Sequence, residues 1–187
     1  MRVLLDRVYA AALALSAAGF AIIAALVLVQ ITGRLIDRGA RLAGVPPLGL
    51  TIPSLAEIGG FMFAGAVFLG LAGTLTAGGH IRVTLLTGAL PPRVARPLGA
   101  AVAASAAGLA AFATWSSALQ LIDSWRFDSV SYGMIPVPLW MPQAVMTAGL
   151  ALFCVALLDA ALTLARGGTP AYEVAEATAG AAGQGGE

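Results

Sequence analysis

Few side chains in this sequence could do chemistry. It has one histidine (His80), one cysteine (Cys154) and no lysine, and its ten basic residues, all arginine, stand against nine acids. A bis-histidine haem needs two axial imidazoles, and only one is present. A single cysteine excludes an internal disulfide framework and a cysteine-based metal cluster. No HExxH, CxxC or GxSxG occurs, and the missing lysine removes the glycine-rich phosphate loop that ends in one. The net charge of +1 leaves no basic excess to neutralise nucleic-acid phosphates, so no nucleic acid is expected as a partner. No catalytic residue, cofactor or metal is expected.

What the sequence offers instead is lipid solubility. Of its 187 residues 59% are hydrophobic and 10% charged, against roughly 25% charged in an average soluble domain. The charges cluster. No Asp, Glu or Arg lies between Arg7 and Arg34, Glu57 and Arg82, Arg96 and Asp123, or Asp128 and Asp159. Each gap exceeds the ~20 residues that carry a helix across a hydrocarbon core of ~30 Å, and none is long enough for two crossings. Lipid leaves backbone groups no outside partner, so the spans must be helices. Their apolar residues do not alternate with polar ones, which excludes a β-barrel. The expectation is an all-α membrane protein with four transmembrane helices, at about 8–31, 55–77, 97–122 and 139–164, within a membrane domain of residues 1–166.

The intervening segments also have character. Arg34, Asp37, Arg38 and Arg41 mix with Leu35, Ile36 and Leu42, as in a short amphipathic helix on the membrane surface, stopped by Gly44 and Pro46-Pro47. Residues 81–90 look similar. Pro53-Ser54 followed by Glu57 fits a capping box opening the second span, and Pro142 suits the first turn of the fourth. Residues 167–187, rich in Gly and Ala, predict a disordered tail. With four crossings the two termini share a side. That side holds Arg2, Arg7, Arg82, Arg93, Arg96 and Arg166, and the other holds Arg34, Arg38, Arg41 and Arg126, so the termini are expected in the cytoplasm. Trp125, Phe127, Tyr132 and Trp140 crowd the third loop as an interfacial aromatic belt would.

No ionisable group falls at the middle of a span, where a proton- or ion-coupled carrier would need one. Small residues remain. Ala66, Gly70 and Thr74 in the second span, and Gly99, Ala103, Ala107 and Ala111 in the third, recur every four residues, a spacing that lets helix backbones approach. Packing within the chain and packing on a partner fit that spacing equally.

The stretch Glu57–Leu86, EIGGFMFAGAVFLGLAGTLTAGGHIRVTLL, resembles the small membrane subunit, DctQ type, of tripartite ATP-independent periplasmic (TRAP) transporters. That family opens its second helix with an acid, places Leu-Gly near mid-helix and leaves through Gly-His-Ile-Arg-Val-Asp-Leu-Leu. Here Glu57, Leu69-Gly70 and Gly79-His80-Ile81-Arg82-Val83 match, while Thr84 stands where Asp is usual. Ile135-Pro136-Val137-Pro138-Leu139-Trp140 is similar to the family's entry into its fourth helix.

The resemblance implies four helices with cytoplasmic termini in a bacterial inner membrane. It implies a large DctM-type membrane subunit that carries substrate and sodium sites. It also implies a periplasmic substrate-binding protein that delivers an organic acid. The small subunit would be scaffold. Glu57, Gly70, Gly79, His80, Arg82, Pro136 and Trp140 would be motif or partner-contact positions, although Glu57 also reads as a helix cap and His80 and Arg82 as headgroup anchors. Arg34, Arg38, Arg41 and Arg126 would help dock the binding protein. Two other functions fit a small membrane chain: the anchor subunit of a redox complex, which wants more histidines than one, and a self-sufficient oligomeric carrier.

Overall fold

The computed structural model describes residues 2–49, 51–79 and 90–184. Helices run over Arg2–Leu42 (α1), Leu55–Thr76 (α2), Pro92–Arg126 (α3), Trp140–Ala165 (α4) and Ala171–Gln184 (α5). The first four are long and apolar enough to cross a membrane. Three of them stop in the same way. Gly44, Gly78 and Gly167 follow α1, α2 and α4 with φ of 71°, 74° and 76°. The next amide then reaches back to a free carbonyl of the last turn, as in Gly79 N–H to Thr74 O at 2.8 Å and Gly168 N–H to Thr163 O at 2.9 Å. At the end of α3 the left-handed position falls to Asp128, with φ of 46°.

In space the order is α1, α2, α4, α3. α2 packs on both α1 and α4, α4 packs on both α2 and α3, and α1 and α3 form the two edges. The seam between α1 and α2 is made of small residues. A Cβ on Gly70 would lie 2.9 Å from Ser16 Oγ, and one on Gly73 would lie 2.8 Å from Leu13 Cβ. Ser16 donates a buried 2.6 Å hydrogen bond to Ala66 O, so its hydroxyl is satisfied away from lipid. The spaced small residues of α2 therefore serve packing inside the chain. On its other side α2 meets α4 still more closely. A Cβ on Gly149 would lie 2.5 Å from the carbonyl carbon and oxygen of Phe68. The α3–α4 seam buries Ala103, Ala107 and Ala110, with Ser117 and Thr147 hydroxyls 2.6 Å apart across it. Ala111, in the expected four-residue series, is exposed and Ala110 takes its place.

The structure departs from the sequence reading in several places. The amphipathic segment after the first span is helical but is not a separate surface helix. It continues α1, whose 41 residues measure about 60 Å. Charge marks where the hydrocarbon ends and does nothing to end a helix. α3 likewise starts at Pro92 and carries Pro97 inside it, close enough to the helix start that the lost bond falls in a solvated turn. Ser54 does not cap α2: it adopts φ 54° and makes no side-chain cap bond. Its carbonyl instead accepts the amides of Glu57 and Ile58. Where composition predicts a disordered tail, Ala171–Gln184 is helical. Alanine is the strongest helix former, Pro170 is fully buried ahead of the helix, and Tyr172 packs against the core formed by Tyr9, Leu75 and Ala156. The surface segment expected at 81–90 lies, apart from Leu90, outside the described residues.

The loop after α1 folds back along it. Asp37 Oδ1 accepts the amides of Leu48 (2.8 Å) and Gly49 (3.2 Å), and Gln30 Oε1 accepts that of Ile52 (2.7 Å). Both side chains are buried, Asp37 to 6% exposure and Gln30 to 9%. Asp37→Ala leaves two amides without an acceptor, at a cost of ~1–3 kcal/mol each if they stay buried. The variant is expected to exchange the Leu48 and Gly49 amide hydrogens much faster while the core of α2 keeps its protection, as read by hydrogen exchange.

Candidate functional site

The α3–α4 connection, residues 127–139, is pinched into a narrow antiparallel loop. Ser131 N–H bonds Val137 O at 2.9 Å, and Leu139 N–H bonds Ser129 O at 2.9 Å. Its tip is fastened to the start of α2, where Ser54 Oγ accepts the Ile135 amide at 3.1 Å. Glu57 presses its Oε2 against Gly133, and that oxygen is buried with no hydrogen-bond partner among the described residues. A Cβ on Gly133 would overlap this carboxylate. Gly133→Ala is therefore expected to expel Glu57 from the loop and lower thermal stability by about 1 kcal/mol. Glu57→Ala in the same chain is expected to restore it, measured by melting in detergent.

This clasp gathers one end of the molecule. Trp140 opens α4 and meets Trp125 of α3 edge-on, with centroids 4.8 Å apart and planes at 71°. Pro136 is exposed on the loop. Arg126 ends α3 and is exposed, and Arg34, Arg38 and Arg41 are exposed on α1. Their spacing of four and three residues sets the last three on one side of the helix, next to the side on which Asp37 holds the loop. The other motif positions lie elsewhere. Gly70 is at the α1–α2 seam. Gly79 is the last residue of the turn that closes α2, and the 79–80 junction leads into His80, Arg82 and Thr84, which lie outside the described residues.

An apolar groove of about 340 Å³ opens on one side of the helix row, with Gly65 and Leu69 of α2 as its floor and Leu15 of α1 and Met141 and Val145 of α4 as its walls. No group of three or more His, Cys, Asp or Glu side chains converges among the described residues. The arrangement can present surfaces: an apolar groove, a row of arginines and a stapled loop. Sequence reasoning missed Ser16, Gln30, Asp37, Gly133 and Gly149. Ser16 and Gln30 left a signal, as polar residues in an otherwise apolar span, whereas Gly133 and Gly149 left none.

The family profile for the DctQ component of tripartite ATP-independent periplasmic transporters matches residues 23–167. Neither the curated proteins nor the solved structures give a match.

Proposed function

The chain belongs to the DctQ family, the small membrane subunits of TRAP transporters, and from that premise we propose that it is the scaffold of a sodium-coupled importer of organic acids. The alternative of a redox-complex anchor has no support in the family match. In the proposed complex a DctM-type large subunit carries the substrate and sodium sites, and a periplasmic binding protein delivers the solute. The membrane is the bacterial inner membrane, with both termini in the cytoplasm.

The observation that carries the scaffold role is the use made of the polar groups within the spans. The Ser16 hydroxyl bonds the Ala66 carbonyl across α1 and α2, and the Ser117 and Thr147 hydroxyls meet across α3 and α4, so these groups tie helices together, while Thr74 and Thr114 bond carbonyls of their own helices. A solute path needs groups free to exchange partners. The exposed end formed by Arg34, Arg38, Arg41 and Arg126 supports docking of an acidic partner from the periplasm.

The test is purification of the tagged chain in mild detergent followed by reconstitution. A larger hydrophobic polypeptide is expected to co-elute, and solute uptake into liposomes is expected with both subunits and the binding protein. Uptake by this chain alone would overturn the scaffold role.

A further inference from the structure

We propose that the α3–α4 edge, at the end where α4 terminates, binds the phosphate of an anionic phospholipid. Arg96 leans over the closing turn of α4: its Nη1 lies 4.0 Å from the position a Cβ would take on Gly167. Arg166 is the C-cap residue of α4, so two guanidinium-bearing residues meet at one turn. Arg93 stands one turn before Arg96 on α3. All three arginines are exposed.

The acids that flank Arg166 in sequence do not neutralise this cluster. Asp159, two turns earlier on α4, has interactions of its own, and Glu173 is exposed on α5. Like charges carried at one end of a helix pair repel, and an anion bound there lowers that cost.

The surface next to the arginines says which anion. Val155, Leu158 and Leu162 are exposed at 42%, 47% and 52%, and they line up with Arg166 along one face of α4. Leu98 and Val102 are exposed on α3 just past Arg96. A free phosphate would use the arginines and leave this apolar face bare. A phospholipid uses both, with its phosphate on the guanidiniums and an acyl chain along the face. The proposal rests on the orientation given above only for the leaflet involved, the cytoplasmic one, where anionic lipids and basic sites between helices meet.

Lipid retention by the full-length chain is read by native mass spectrometry from detergent, during titration with phosphatidylglycerol or phosphatidylcholine. The native chain is expected to hold phosphatidylglycerol roughly tenfold more strongly. Arg96→Gln with Arg166→Gln is expected to abolish the preference, and Arg34→Gln, Arg38→Gln and Arg41→Gln together are expected to leave it intact. Arg166→Gln alone, at an exposed C-cap, is expected to lose about half of the effect on a logarithmic scale and serves if the double variant fails to fold. Equal retention of the two lipids, a preference that survives loss of Arg96 and Arg166, or complete displacement by millimolar inorganic phosphate would each overturn the proposal. Binding is measured on this chain alone, so failure of a large subunit to co-elute would count against the scaffold reading and not against this one.

Discussion

Gly149→Ala is expected to destabilise the protein by about 3 kcal/mol or more, and Gly149→Leu to prevent its assembly. The added carbon would stand 2.5 Å from the Phe68 carbonyl and 2.8 Å from the Leu69 nitrogen. These are backbone atoms of a neighbouring helix and have no rotamer into which to retreat. Overpacking that side chains can absorb costs ~1–3 kcal/mol, and here α2 and α4 must separate along their length. That separation would also open the Gly65–Val145 contact, 3.1 Å from a Cβ on Gly65. The control is Gly108→Ala on α3, where nothing lies within 4 Å of the new carbon. It is expected to be neutral or to stabilise by up to ~1 kcal/mol, because alanine is the better helix residue. Melting temperature and monodispersity in detergent measure both. A Gly149→Ala protein as stable as Gly108→Ala would mean that the two helices do not cross at Gly149.

Reversing Arg34, Arg38 and Arg41 to Glu is expected to slow solute uptake by the reconstituted complex about tenfold or more while leaving membrane insertion and stability unchanged. The three side chains are exposed, and the bond that Arg41 Nε donates to the Asp37 carbonyl at 3.3 Å contributes little at the surface. Their proposed part is electrostatic steering of an acidic partner, a rate effect that falls with ionic strength. Raising salt is therefore expected to slow the native complex towards the variant, and saturating binding protein to recover much of the difference. Uptake kinetics that do not change on charge reversal would remove docking from this face.

The four spans could be read from the sequence because lipid imposes a rule that composition cannot hide: a charged residue must leave the hydrocarbon. Helix ends are set by other forces: α2 and α4 end within a residue of the expected bounds, while α1 and α3 run well past theirs. Arg34, Asp37 and Arg38 are good enough helix residues for α1 to continue through them. Ser54 has the right type and spacing for a cap, yet its hydroxyl is committed to Ile135, 81 positions away, which no local pattern reveals. The α2 glycines declared a packing face but not its partner. Gly149 declared nothing, since one glycine in an apolar helix looks the same whether it faces a backbone or lipid. Gln30 and Asp37 act through loop amides whose positions depend on the whole α1–α2 hairpin. Alanine counted towards disorder after Gly167 because it buries little, although it also favours the helix seen in Ala171–Gln184.

The order α1, α2, α4, α3 makes a palisade one helix deep. Among the described residues the four long helices pack in a row and not around a common axis, so they present two broad flanks in place of an enclosed lumen. In the proposed complex the solute would then travel alongside this wall, and a stationary wall is what a moving large subunit could push against.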